Sequence, residues 1–144
     1  MREWLKILQN CEMIFFFKKL IKKKFIKKNN FFSYRPSYLD NEELIKFNKK
    51  IKLINFKLAI LSLGSRGHFA SIFELNKTNE AYYAIEDSPK FPKSRATVSL
   101  NKIQKCEKII FIASKKNKKK EIKDFYKNRL IKFLGYKKVY LYTY

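Results

Sequence analysis

Glycine is scarce in this chain. There are three in 144 residues, and two of them, Gly64 and Gly67, fall within four positions. Glycine permits positive φ and close backbone approach, so the pair marks a place where the backbone must do something unusual. Histidine occurs once, as His68, directly after that pair. One histidine and two distant cysteines, Cys11 and Cys106, form no C-x-x-C and no metal-ligand cluster, which argues against a zinc site. The two thiols read as reduced and cytosolic rather than as a disulfide. Acidic residues are few, 12 against 34 basic ones, and only five of the basic residues are arginine. No apolar run approaches the ~20 residues of a membrane span. The M-I-F-F-F run is too short for a signal peptide, and its lysines follow it instead of preceding it.

Aromatics are abundant at 17%, and hydrophobic residues make up 46%. That is far too much for a disordered tail and enough for one small domain. The formal net charge of +22 first suggests nucleic acid or an anionic membrane. Its make-up argues otherwise, because 29 of the basic residues are lysine and arginine is the better reader of phosphates and base edges. Lysine rich alongside Ile, Phe, Asn and Tyr is what an AT-rich genome writes. No specific nucleic-acid partner is expected.

Residues 1–38 form a lysine- and phenylalanine-rich segment, a degenerate part of the same domain. Met13, Ile14, Phe16, Phe17, Leu20, Ile21 and Phe25 recur at helical spacing with lysines between them. Core packing explains this amphipathic helix; a basic membrane-surface helix is the sharper alternative, which the polar face does not require. Residues 39–144 carry the pattern of an α/β domain. Asp40 and Glu43 form a capping-box start for a helix with Leu44, Phe47 and Ile51 on one face. Strands are expected at Lys57–Leu63, Tyr82–Ile85, Ala96–Ser99, Ile109–Ala113 and Val139–Tyr142, mainly parallel. A helix is expected over Asn117–Tyr126, with Ile122 and Phe125 inward. The apolar run to Leu63, the glycines and the resumed apolar residues Ala70, Ile72 and Phe73 read as strand, tight turn and helix start.

The stretch L-S-L-G-S-R-G-H-F-A-S-I-F-E resembles the signature of the 6-phosphogluconolactonases, relatives of the glucosamine-6-phosphate deaminases. That signature runs roughly L-G-x-G-x-D-G-H-x-A-S-L-F-P. Gly64, Gly67, His68, Ala70, Ser71 and Phe73 match; Ser62 replaces a glycine, Arg66 an aspartate and Glu74 a proline. Further on, D-S-P-K-F-P-K-S-R-A-T-V-S-L is similar to the family segment D-S-P-K-P-P-x-x-R-I-T-L-T. Here Asp87, Ser88, Pro89, Lys90, Pro92, Arg95 and Thr97 match. Lys118 falls on the lysine of the family's G-x-x-K, with Lys115 in place of the glycine, and L-I-K-F-L-G-Y-K-K-V-Y-L-Y resembles the closing strand region. Asn10 corresponds faintly to the asparagine after the family's D-E-R. The resemblance covers most of the chain from Asp40 onward.

The resemblance implies a Rossmann-like α/β fold with a mostly parallel sheet and flanking helices, the second half of a sugar-phosphate isomerase/lactonase fold. It implies a cytoplasmic hydrolase of the pentose phosphate pathway that acts on a sugar-phosphate lactone with no cofactor and no metal. His68 would be the general base, kept neutral by a helix N-terminus and by Arg66. Arg95 and Lys118 would bind the substrate phosphate, Arg95 by a forked contact. For Lys118, a solvated surface role stays open beside that. Asp87 reads as structural. Family members are longer and begin with an S-G-G-S/T phosphate loop; this sequence has neither Gly-Gly nor D-E-R. It therefore looks like the C-terminal part of a lactonase, with a separately encoded N-terminal half as a possible partner. The rival readings are an inactive remnant of the enzyme and a basic nucleic-acid-binding protein.

Overall fold

A computed structural model describes residues 41–76 and 78–144. They lie in one compact unit that runs from Pro36 to Tyr144. The amphipathic helix expected within residues 1–38 and the capping residue Asp40 lie outside the described residues.

Helix α1, Asn41–Leu53, carries Glu42 and Glu43 in its first turn and Lys50 and Lys52 in its last, the order that its dipole favours. Leu44, Phe47 and Ile51 face inward, as their spacing predicts, and Ile51 is buried. Strand β1, Leu58–Ser62, follows. Next come β2, Tyr82–Ile85, and β3, Arg95–Val98, joined by the proline-bearing loop. Helix α2, Leu100–Gln104, leads to β4, Lys108–Ala113. Two short helices, α3 at Lys119–Lys123 and α4 at Arg129–Leu134, precede β5, Val139–Thr143.

The main sheet has the order β1-β4-β5, and both pairings are parallel. Residue 59 stands beside Ile109 and Ile109 beside Val139, so one face is set by Ala59, Leu61, Ile109, Phe111, Ala113, Val139 and Leu141. That face meets Leu100, Ile103, Phe125, Leu130, Ile131 and Leu134 in a single hydrophobic cluster. Ile109, Phe111 and Ile131 have no exposed surface, and the Phe111 ring meets Phe69 and Phe125 edge-on at 5.0 and 5.2 Å. On β4 the apolar run hides two environments. Alternate residues are fully buried, while Ile110 and Ile112 on the other face are half-buried.

Two expectations change here. Strands β2 and β3 do not join the parallel sheet; they form a separate antiparallel ribbon, Tyr82 beside Val98 through Ile85 beside Arg95. The ribbon packs on α1: Phe47 meets Tyr82 edge-on at 4.8 Å, and the Asn48 side-chain oxygen accepts from the N–H groups of Ala81 and Tyr82 at 2.9 and 3.0 Å. The helix expected over Asn117–Tyr126 is also shorter. It breaks at Asp124 into a 3-10 turn, Phe125–Lys127, though Phe125 is buried and Ile122 packs on the core as predicted. Cys106 is a buried free thiol, and burial raises its pKa.

Candidate active site

Parallel strands place their C-terminal ends on one side of the sheet, which is where α/β folds assemble sites. Two neighbouring ends do so here. Beyond β1 the chain runs through Leu63 and Gly64 into a 3-10 turn, Ser65–Gly67, and reaches His68. Beyond β4 it turns at Ser114, whose carbonyl accepts from the N–H groups of Asn117 and Lys118, and Lys118 stands directly before α3. His68 and Lys118 are thereby brought to the same end of the sheet.

The turn around His68 is tightly specified. The Gly64 N–H donates to the His68 carbonyl at 2.7 Å, and the Gly67 N–H donates to the Gly64 carbonyl at 3.1 Å. A Cβ on Gly64 would lie 2.2 Å from His68 Cε1 and 2.4 Å from its Nε2, so the imidazole occupies the space a side chain would need. Gly67 has φ +76°, and its missing Cβ would meet Asn128 Nδ2 at 2.1 Å. Arg66 is left-handed without being glycine, at φ 60° and ψ 17°. Its backbone N–H donates to Glu121 Oε1 at 3.0 Å, and that bond holds the Glu121 carboxyl below its ordinary pKa.

No helix starts after His68. His68 is extended, Ala70 and Ser71 are left-handed at φ 46° and 60°, and Phe69 pairs with Ile72 across them. The physical reason is competition for backbone groups. Phe69 and Ile72 exchange two hydrogen bonds, at 2.7 and 3.3 Å, and the buried Thr97 hydroxyl donates to the Ala70 carbonyl. The helix dipole expected to keep His68 neutral is therefore absent.

The neutral state has other causes. His68 Nδ1 stands 2.6 Å from the Ser65 carbonyl oxygen. A carbonyl only accepts, so Nδ1 carries the proton and Nε2 keeps the lone pair. The ring is half-buried and stacks on Phe73 at 4.3 Å with planes 18° apart. Its pKa is lowered, first by burial and then by the positive charges of Lys90, Lys118 and Arg95; the Ser65 carbonyl opposes them. Arg66, expected to contribute, is exposed and is not among these charges.

Arg95 reaches the site from the start of β3, but its guanidinium is busy. Nε donates to the Pro92 carbonyl at 2.8 Å, Nη2 to the carbonyls of Lys90 and Phe91 at 3.0 and 2.6 Å, and Nη1 to Ser71 Oγ at 3.4 Å. It thus ties the proline loop, with its cis Phe91–Pro92 bond, to the turn after His68. Five donors minus these contacts leave one N–H on Nη1 for a further acceptor. Asp87 does not orient Arg95; it pairs with Lys93 at 2.8 Å, and that contact lowers its carboxyl pKa.

Two contributors escaped the sequence reading of the site. Lys90 Nζ donates to Ser65 Oγ, linking the loop to the residue that holds His68. Asn128 donates from Nδ2 to the Gly67 carbonyl at 3.3 Å, while its Oδ1 accepts from Leu130 and Ile131 N–H at 2.8 and 3.4 Å. An asparagine directly before R-L-I-K-F-L is a readable N-cap signal. Its second bond, to a turn 61 residues earlier, has no sequence signature. Among the described residues, no three or more His, Cys, Asp or Glu side chains gather to hold a metal ion. No described helix is long and apolar enough to cross a membrane.

The turn, the lone histidine and the three cations Lys90, Lys118 and Arg95 thus gather at one end of a parallel α/β sheet. The chain belongs to the glucosamine-6-phosphate isomerases/6-phosphogluconolactonase family, whose model matches residues 11–131. The match starts well upstream of Asp40, where the motif resemblance begins. The chain is 27% identical over 119 residues to a 6-phosphogluconolactonase of Borreliella burgdorferi, covering 76% of this chain and 50% of that protein. It thus spans about half the length of this curated relative. Among solved structures, the 6-phosphogluconolactonase of Thermotoga maritima superposes with a TM-score of 0.67 at 23% identity, over 82% of this chain and 57% of that one. The Plasmodium vivax 6-phosphogluconolactonase gives 0.59 at 20% identity, over 88% and 60%. At these identities the likeness shows the fold, a Rossmann-like α/β arrangement around a parallel sheet.

Proposed function

We propose that this chain carries the hydrolytic site of a 6-phosphogluconolactonase, which converts 6-phosphogluconolactone to 6-phosphogluconate in the cytoplasm. One observation carries the reading: an imidazole whose Nδ1 faces the Ser65 carbonyl, beyond the C-terminal end of a parallel strand, with its pKa lowered by burial and by three cations. Nε2 takes a proton from water as the oxygen attacks the lactone carbonyl. The tetrahedral intermediate collapses, the ring C–O bond breaks, and the departing oxygen recovers the proton from His68. Lys118 and the remaining Arg95 donor bind the phosphate. A separately encoded polypeptide supplying the rest of the family's length is the partner this reading calls for.

A second reading, a member with diminished turnover, is favoured by two observations. Arg95 spends most of its donors on loop carbonyls, and Arg66 stands where the resemblance has an aspartate. The test is lactone loss at mildly acidic pH, with spontaneous hydrolysis subtracted. The 144-residue polypeptide alone is expected to be slow, since incomplete substrate positioning costs several kcal/mol of barrier, on the order of 10³-fold or more in rate. His68→Ala should abolish what remains, Arg95→Ala should mainly raise KM, and Arg66→Asp should raise the rate. Robust turnover untouched by His68→Ala would overturn the assignment of the base.

A further inference from the structure

The His68 turn is held from outside by one side chain that sequence reading did not connect to it. Asn128 faces two ways. Its Oδ1 caps α4 through the N–H groups of Leu130 and Ile131, and its Nδ2 donates to the Gly67 carbonyl. The same amide nitrogen lies where a Gly67 side chain would begin, 2.1 Å from the ideal Cβ, so the two residues are fitted to each other. From Gly67 the bonds run inward. Its N–H reaches the Gly64 carbonyl, the Gly64 N–H reaches the His68 carbonyl, and the His68 ring lies over the Gly64 Cα and donates to Ser65. Helix α4 itself is anchored by Leu130, Ile131 and Leu134 in the core. We propose that Asn128 is a positioning residue, whose amide clamps the Gly64–His68 turn to the start of α4 and so fixes the placement and tautomer of the His68 ring.

The physical case rests on what else could hold the turn. Arg66 and Gly67 are both left-handed, and the 3-10 turn that contains them is only three residues long. Such a segment has little preference of its own and takes the shape that its tethers impose. On the side facing α3, the Arg66 N–H to Glu121 is one tether. Lys90, from the proline loop, holds Ser65 by its hydroxyl, and on the side facing α4 Asn128 holds Gly67. The core anchors α4 through three buried side chains, whereas α3 has no buried residue. The Asn128 tether is therefore the one that carries the core's rigidity to the ring.

The cap and the clamp use different atoms, so they separate by mutation. Asn128→Ser and Asn128→Thr keep a hydroxyl that caps α4 and lose the amide that reaches Gly67. Because His68 is the sole histidine, its imidazole signals in a 1H–15N NMR titration are unambiguous. In the wild type the Nδ1–H tautomer should dominate, and the midpoint should lie below the ordinary 6.5, with Lys90, Lys118 and Arg95 as the facing charges. In either variant the midpoint should rise to the ordinary value and the Nε2–H tautomer should appear. Ser99→Ala, which removes a hydroxyl cap from α2 without touching the turn, should leave both readouts unchanged. A folded Asn128→Ser or Asn128→Thr variant with the wild-type midpoint and tautomer would overturn the proposal. The significance for catalysis rests on His68 being the base, but the readout is the ring itself, so absence of turnover would not decide it either way.

Discussion

The parallel sheet and the His68 turn are held in opposite ways. The sheet core is redundant: Phe111 touches Phe69 and Phe125, and β4 has a hydrogen-bonded neighbour on each side. The turn is held by single polar tethers, each with one donor and one acceptor: Asn128 to Gly67, Arg66 to Glu121, Lys90 to Ser65, His68 to Ser65 and Thr97 to Ala70. Loss of a core contact should thus cost stability and leave the ring alone. Loss of a tether should move the ring at modest cost in stability. A small domain places its free energy in burial and its geometry in hydrogen bonds, because apolar contact is non-directional and a hydrogen bond is not.

The largest expected effect lies in the sheet. Phe111→Ala empties a fully buried position and should cost about 3–5 kcal/mol, read as a shifted urea midpoint. The folded fraction should keep the His68 titration of the wild type; a changed titration would break the separation between the two regions. Gly64→Ala comes next. Its methyl falls on the imidazole, so the ring must leave and the Nδ1 bond to Ser65 must break, at about 1–3 kcal/mol with loss of any residual turnover. Ser99→Ala removes the α2 cap and should cost about 1 kcal/mol by thermal unfolding, with no effect on the site. Arg66→Gly should gain about 0.5–1 kcal/mol, because glycine adopts φ 60° without steric penalty and keeps the N–H to Glu121.

The pH dependence has a definite sign. The folded His68 takes up its proton at lower pH than the unfolded chain, whose histidine titrates near 6.5. Between those values the unfolded state binds more protons, so the His68 contribution is fully present above about pH 6.5 and is lost as pH falls toward the folded pKa. Urea midpoints measured across that window should fall on acidification, and His68→Gln should flatten the fall.

The strands of the main sheet were legible because each is a short apolar run bounded by polar or glycine signals, as at Ile109–Ala113. Their partners were not: alternation in Ala96–Ser99 marks a strand but cannot say that it pairs antiparallel with Tyr82–Ile85 outside the sheet. The glycine turn and His68 were legible because two of three glycines sit there. The segment after His68 misled, since the resumed apolar residues Ala70, Ile72 and Phe73 read as a helix start. A hydroxyl from β3, 27 residues away, captures the Ala70 carbonyl instead. Lys118 stands on a motif lysine, and its position near His68 follows from the turn after β4. The occupied state of Arg95 was not legible, because a sequence shows a guanidinium but not the three loop carbonyls that fill it.

The proposed role of His68 as base requires a neutral ring with its proton on Nδ1. The most direct test is a 1H–15N NMR titration of the wild-type imidazole between about pH 5 and 8, where histidine changes charge. One titrating ring is expected, with a midpoint below 6.5 and a neutral form protonated on Nδ1. A midpoint at or above 6.5 with the neutral form protonated on Nε2 would contradict it.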